Sequence, residues 1–202
     1  MRSARDMQKY QLSFTSGSLF LQGAPIAAKL YAETGDWALV RARLRSENLL
    51  QARTDSTASR LAFEVVQRLG NLTSEELALL ADATSNELRQ LMWTATCRHY
   101  SLIGEFAEEV LRDRYLLLKS DLLPMHFDSF VNAKKLWHEE LSTVAESTFK
   151  RLRSNLFGML REAELVTDKG IIVPTVISAR VLKMLSKRIP SDVRFFPASD
   201  VI

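Results

Sequence analysis

The sequence predicts an all-α protein: a compact multi-helix bundle with helix-turn-helix-like elements and a small winged-helix hairpin near its C-terminus. Three observations lead there. Seven Gly and five Pro among 202 residues leave little chain for loops. Apolar residues recur in steps of three and four along most of the chain, the mark of helices burying one stripe. In one stretch, Thr143 to Pro174, that helical period gives way to a turn and a short β-branched run.

In chain order, residues 1–13 read as a loose lead-in. The stretch Phe14 to Phe20 reads as a turn entering a short helix. A firmer helix begins at Ala24-Pro25-Ile26, with proline at its first position, where a missing N–H costs nothing. Ile26, Ala27, Leu30 and Tyr31 give its buried face. Gly35 ends it and Asp36 caps the next helix. That helix turns Trp37, Val40 and Leu44 inward, with Arg41, Arg43 and Arg45 mostly outward. Glu47 to Arg53 is a connection. A third helix starts near Thr54 or Ser56 and runs to Leu69 on the stripe Ala58, Leu61, Ala62, Val65, Leu69. Arg53, Thr57 and Arg60 share the opposite face near its N-terminus, where free N–H groups and the macrodipole favour phosphate oxygens. The connection is longer than the three or four residues of a compact helix-turn-helix.

Thr73-Ser74-Glu75-Glu76 is a capping box. Ser85 is expected to cap the following helix, which carries Leu88, Leu91, Met92 and Ala95 inward. Leu102 to Tyr115 forms another, burying Ile103, Phe106, Val110 and Leu111. Pro124 restarts a helix with Phe127, Phe130, Val131 and Trp137 as core. In the long helix that follows, Ala145, Phe149, Leu152, Leu156, Leu160 and Ala163 form the stripe. At 100° per residue, Lys150, Ser154 and Arg161 fall within about 40° of one another, flanked by Arg151 and Arg153. Phe157 projects into this basic arc, so another element is expected to pack there. Asp168-Lys169-Gly170 is a turn signal and Ile171-Ile172-Val173 a strand stopped by Pro174. A basic helix followed by a hairpin outlines a winged helix, whose helix enters the major groove while its hairpin touches the backbone. An ordinary amphipathic helix with a solvated basic face fits the same pattern. Ser178 caps a last helix to Lys187 or Arg188, and Asp192 to Pro197 reads as a short extended tail whose Phe195 and Phe196 dock on the body.

Charge is uneven. Net charge is +3 overall, but residues 1–70 carry +4, 71–141 carry −5 and 142–202 carry +4. A single body over 1–202 is expected, with sub-lobes over 1–70 (basic, helix-turn-helix-like), 71–141 (acidic, helical) and 142–202 (basic, winged-helix-like). Two cationic surfaces facing nucleic acid follow from the blocks; so does mutual neutralisation within the fold, and both stay open here. The N-terminus, MRSARDMQKYQLSF, has no apolar signal core and no apolar run nears the ~20 residues that span a bilayer. A cytoplasmic protein without membrane contact is expected. The single Cys97 excludes an internal disulfide.

Motifs for chemistry are absent. The histidines His99, His126 and His138 lack ligand spacing, and Cys97 and His99 fall on different helix faces, so no metal site is expected. There is no P-loop, no GxGxxG and no GxSxG elbow. Glu105, Glu109 and Asp113 come together at i,i+4 spacing, but Arg112 and Arg114 stand beside them, and an acidic helix face is the better reading. No catalytic residue, no cofactor and no enzyme activity are expected.

Several stretches taken in order are similar to a known family: Phe14 to Leu21 (FTSGSLFL), Gly35-Asp36-Trp37, Glu47 to Gln51 with Arg53-Thr54, and Phe130 to His138 with Asn132-Ala133-Lys134 and Trp137-His138. Ser147-Thr148, Leu152-Arg153, Met159 to Ala163 and Arg194 to Pro197 extend the match. Over roughly residues 10–197 the chain resembles the BrxA family, a small component of BREX (bacteriophage exclusion) phage-defence systems. The resemblance implies a non-enzymatic helical protein that binds double-stranded DNA and works beside other BREX proteins. It also implies a comparison with the RNA-binding antitermination factor NusB. It carries no residue-level motif. Candidate nucleic-acid contacts therefore rest on helix faces: Arg41, Arg45, Arg53, Thr57, Arg60, Lys150, Arg151, Arg153, Arg161 and Lys169. Duplex DNA held through phosphates is the expected partner, with RNA or a protein-docking role as alternatives.

Overall fold

Most helices form where the three-and-four spacing places them, in a computed structural model that describes residues 9–14 and 16–199; Trp137, expected in the core, lies beyond the helix that starts at Pro124 and is exposed. The first eight residues of the expected lead-in, and Thr15, lie outside the described residues. Among the described residues the chain is helical and holds no β-strand beyond isolated bridges. Contacts divide it into two units, each discontinuous in sequence and each drawing on all three charge blocks.

One unit takes residues 19–99 and 177–188. It contains α1 (Gly23–Thr34), α2 (Trp37–Ser46), α3 (Asp55–Leu69), α4 (Ser74–Leu80), α5 (Ser85–His99) and α11 (Ala179–Leu185). Local chemistry sets the boundaries. Gly35 adopts φ 65° and donates its N–H to Tyr31 to close α1. Asp36 Oδ1 accepts the Ala38 N–H at 2.7 Å to open α2. Thr54 Oγ1 accepts from Thr57 N–H to open α3. The capping box at Thr73 is formed: Glu76 accepts the Thr73 N–H at 2.7 Å and Thr73 accepts from Glu76. The cap of α5 differs from expectation. Thr84 and Glu87 make the reciprocal pair there, and Ser85 is already helical, because an acid three residues after Thr84 completes a box that Ser85 cannot. Residues 16–20 form no helix; the chain enters α1 through Phe20 at φ 58°. Helix α5 is buried from Leu91 to Cys97 on every side. Its threonines are tolerated there because Thr94 and Thr96 donate their hydroxyls back to Gln90 and Met92 carbonyls at 2.8 Å.

Charge within this unit is largely spent internally. Arg98 grips Glu76 through two hydrogen bonds of 2.6 and 2.7 Å. Burial alone would push the Glu76 carboxyl up, but Arg98 and the Thr73 N–H outweigh it and hold it down. Helix α11 packs on α4 and α5 and brings Arg180 to Glu87 at 2.7 Å and to Asp82 at 3.0 Å. The Ser178 hydroxyl, expected to cap α11, donates instead to Glu87 at 2.6 Å. Arg180 first, then Ser178 and the Thr84 N–H, hold Glu87 far below the usual carboxylate range. Lys187 pairs with Glu75. Acids of the middle block thus neutralise bases of the C-terminal block.

The other unit takes residues up to 18, 100–176 and 189 onward. Helix α6 (Ser101–Phe106) runs through a π-helical turn (Ala107–Arg112) into α7 (Asp113–Leu116). Then come α8 (Pro124–Lys134), α9 (Glu139–Ser142) and α10 (Glu146–Glu162). Phe106 anchors an aromatic cluster, edge-on to Phe127 and Phe130 at 5.5 Å and tilted to Phe157 at 6.5 Å. The segment before residue 19 lies against α10. Asn155 donates to the Phe14 carbonyl at 3.0 Å, and Gly158 lets the Gly17 backbone approach so closely that a Cβ would stand 3.2 Å from its oxygen. The expected extended tail is instead a 3-10 turn over Asp192–Phe195, its cap supplied by Ser191. Phe195 and Phe196 are buried as expected.

Candidate nucleic-acid interface

Helix α10 owes its length to a clean stripe. Leu152, Leu156, Leu160 and Ala163 are buried and Phe149 is half-buried, while Ala145, expected to begin the stripe, stands exposed at the N-cap. The opposite arc carries Lys150, Ser154 and Arg161, as the spacing requires. Phe157, which breaks that arc, is indeed buried. It packs towards Phe106 and lines a cavity with the approach to α8 and the turn after α10.

That turn is where the sequence placed it. Asp168-Lys169-Gly170 reverses the chain, with the Gly170 N–H donating to Thr167 O at 2.9 Å. Val166 bridges Ile172 and Asp121 bridges Ile171, both antiparallel. Leu122 N–H donates to Gly170 O and Ile172 N–H to Ser120 O, each at 2.7 Å. The 171–172 segment therefore sits between 166 and 121, with a single residue pair bridged on each side. Gly170 is demanded twice: its φ is +77°, and a Cβ would meet the Leu122 oxygen at 3.0 Å.

Between α10 and this turn lies a cavity of about 330 Å³, with Leu122, Leu123 and Pro124 as one wall and Phe157 at its base. Lys150, Arg153, Arg161 and Lys169 line it, against the single carboxylate of Asp168. Lys150 leans on Glu146 at 2.7 Å, Arg161 approaches Asp168 at 3.5 Å, and Arg153 pairs with Asp128. The first two pairs are largely exposed and worth little in water, so an incoming phosphate can displace them. Lys169 has no ion pair among the described residues. Arg151 is exposed but does not line the cavity.

The second candidate face is built on α2 and α3, which pack against one another. Their connection is held by left-handed Asn48 and Gln51, with the Asn48 amide bridging to both backbone groups of Ala52 at 2.8 and 3.0 Å. Arg45 forks onto Asp55 at 2.7 and 3.0 Å, which raises the guanidinium and lowers the carboxyl. Thr57 is half-buried and its hydroxyl accepts from Thr54 at 2.9 Å. The α3 N-terminus therefore already holds an acid and a hydroxyl of its own chain. Arg41, Arg53 and Arg60 are exposed, with no ion pair among the described residues. A groove of about 380 Å³ runs between the helices, lined by Ala38, Arg41, Ala42, Arg45, Ser59 and Phe63.

The acidic cluster resolves into a structural brace. Lys134 donates to Glu105 at 2.6 Å and to Glu109 at 2.7 Å, and the Tyr10 hydroxyl donates to Glu105 at 2.6 Å. Among the described residues no group of three metal-ligating side chains is gathered, and no helix is long and apolar enough to cross a membrane. Face analysis missed the Leu122-Leu123-Pro124 wall, for which periodicity offers no signal. It also missed Phe63, which was visible as an aromatic off the α3 stripe.

A BREX protein BrxA from Escherichia coli O9:H4 (strain HS) is 27% identical to this chain over 150 residues, covering 74% of this chain and 70% of its own length. A BREX protein BrxA from Paramagnetospirillum magneticum (strain AMB-1) is 26% identical over 160 residues, covering 79% and 80%. The fold is shared with a crystal structure of an uncharacterized protein from Magnetospirillum magneticum, at TM-score 0.80 and 23% identity over 94% of this chain and 98% of that one. The family model for BrxA matches residues 8–188. The chain belongs to the BrxA family.

Proposed function

We propose that this chain is a non-enzymatic, cytoplasmic component of a BREX phage-defence system that binds double-stranded DNA through α10 and the 167–170 turn. The observation that carries the reading is the convergence of Lys150, Arg153, Arg161 and Lys169 on one cavity beside a hairpin. Element order supports it. Helix, bridge residue Asp121, α8, the short α9, α10 and a tight turn run in an order similar to that of a winged helix, with α9 inserted and the 171–172 segment central. In that arrangement α10 lies along the major groove and Lys169 reaches a flanking phosphate. Other BREX proteins are its working partners, and no cofactor is needed.

Binding of this kind is mostly phosphate neutralisation. Affinity falls steeply with salt, with a slope of about −0.9 per phosphate contacted, and varies little with sequence. The test is a titration of labelled duplex DNA at several salt concentrations, with structured RNA as competitor. Salt-sensitive duplex binding that RNA does not displace supports the reading. Preference for RNA moves the protein toward the antitermination-factor comparison, and absence of binding at low salt overturns nucleic-acid recognition altogether.

A further inference from the structure

The α2–α3 groove is chemically unlike the α10 cavity, and the difference points to another class of partner. We propose that it docks an acidic helical segment of a partner protein, one that carries apolar side chains on a single face. This inference does not rest on DNA binding by α10.

Four observations carry it. First, the groove exists because Ala38 and Ala42, one turn apart on α2, and Ser59 on α3 are too small to fill the space between the helices. Second, Phe63 lines that space and stays 48% exposed. A phosphate backbone gains nothing from a bare phenyl ring, whereas an amphipathic helix laid into a groove is recognised by such apolar anchors. Third, every cation from residue 37 to residue 69 is arginine and none is lysine. Protein interfaces concentrate arginine and aromatic side chains at their centres and exclude lysine. Around the α10 cavity lysine and arginine are mixed. Fourth, charge is unbalanced. Asp55 is consumed by Arg45, while Arg41 in the groove wall and Arg60, about 60° from Phe63 around α3, have no ion pair among the described residues. The missing countercharge belongs to the partner.

A second copy of this chain is a poor source of that countercharge. Most acids of its middle block are already committed, among them Glu76 to Arg98, Glu87 to Arg180, and Glu105 and Glu109 to Lys134. Duplex DNA is disfavoured at the one point where it would be expected, the α3 N-terminus, because Thr54 and Asp55 occupy it.

The test uses the full chain and a fluorescein-labelled helical peptide with Leu and Trp at i and i+4 among Glu and Asp. A control peptide replaces every acid by Lys. Variants are Arg41→Glu, which reverses the groove's charge, and Ala42→Leu, which fills the groove from an exposed position. Thermal melts check that both fold. We expect saturable binding of the acidic peptide, no binding of the basic one, and a loss of about tenfold or more in either variant, with duplex DNA affinity unchanged in Ala42→Leu. Equal binding of both peptides, or no saturation, overturns the proposal. So does loss of duplex affinity in Arg41→Glu, which makes the face a nucleic-acid surface, or a concentration-dependent dimer of the wild type that Ala42→Leu abolishes.

Discussion

The two basic faces of this protein carry similar formal charge and hold it differently. Around the α10 cavity, three of the four cations lean on acids, and two of those contacts, with Glu146 and Asp168, are loose and solvent-exposed. On α2–α3, Arg45 is clamped by Asp55 in a two-pronged bond while Arg41, Arg53 and Arg60 stand open beside apolar surface. Counting basic residues does not separate such faces. What separates them is the company each cation keeps: a tight backbone turn and a cavity walled by Leu122, Leu123 and Pro124 in one case, an exposed phenyl ring in the other.

The sharpest way to break the comparison is to strip each face in turn. Lys150→Ala/Arg161→Ala/Lys169→Ala is expected to weaken duplex binding by a factor of about 10² or more near physiological salt. It should also flatten the log–log salt slope by about 3. Arg41→Ala/Arg53→Ala/Arg60→Ala is expected to leave the slope unchanged. Equal losses from both triples, measured by fluorescence anisotropy, would erase the distinction between the faces.

The next effect is on stability and lies in the unit that holds the α2–α3 face. Glu87→Gln removes the charge that three partners address and is expected to cost roughly 2–3 kcal/mol in chemical denaturation. Because the folded Glu87 carboxyl is held below its unfolded value, its contribution is present at neutral pH and is lost as pH falls through the acid range. Wild-type stability should therefore decline on acidification more steeply than that of Glu87→Gln.

A subtler change sharpens the α10 side. Gly170→Ala strains a left-handed residue and crowds the Leu122 carbonyl, at an expected cost of about 1–2 kcal/mol. DNA affinity should drop several-fold as Lys169 shifts, with acidic-peptide binding at α2–α3 untouched. The smallest effect is Asp55→Asn, which opens a solvent-exposed pair that contributes little in water. It should be silent in a melt and, by releasing Arg45, slightly tighten acidic-peptide binding.

Much of this was legible in the sequence, for reasons that differ by element. The α10 arc follows from spacing alone, because a helix fixes the azimuth of each side chain; Phe157 even announced a covering element. Gly35, Asp36, Thr54 and Thr73 mark real helix ends, because capping is local chemistry. The α5 cap at Thr84 was equally legible, because Glu87 stands three residues after Thr84 while Leu88 stands three after Ser85. The extended tail became a 3-10 turn because Ser191 offers a cap that hydrophobic patterning does not register. The α2–α3 groove was invisible because it depends on what is missing: alanines at 38 and 42 look like good helix formers and say nothing about the space they leave. Most hidden was the pairing of Glu87 with Arg180, since no local rule links residues so far apart.

That last pairing governs how the protein is made. The unit holding α1 to α5 lacks its final helix until α11 has been synthesised, and the whole of α6 to α10 is translated in between. On the ribosome, which adds about 5–20 residues per second, Glu87 waits several seconds for Arg180. During that interval the surface of α4 and α5 that α11 will cover is open to solvent and to chaperones. A nascent chain stopped after Val176 would carry α6 to α10 and still leave Glu87 without Arg180. Discontinuity thus acts as a completion check, since neither half of the product reaches full stability ahead of the other.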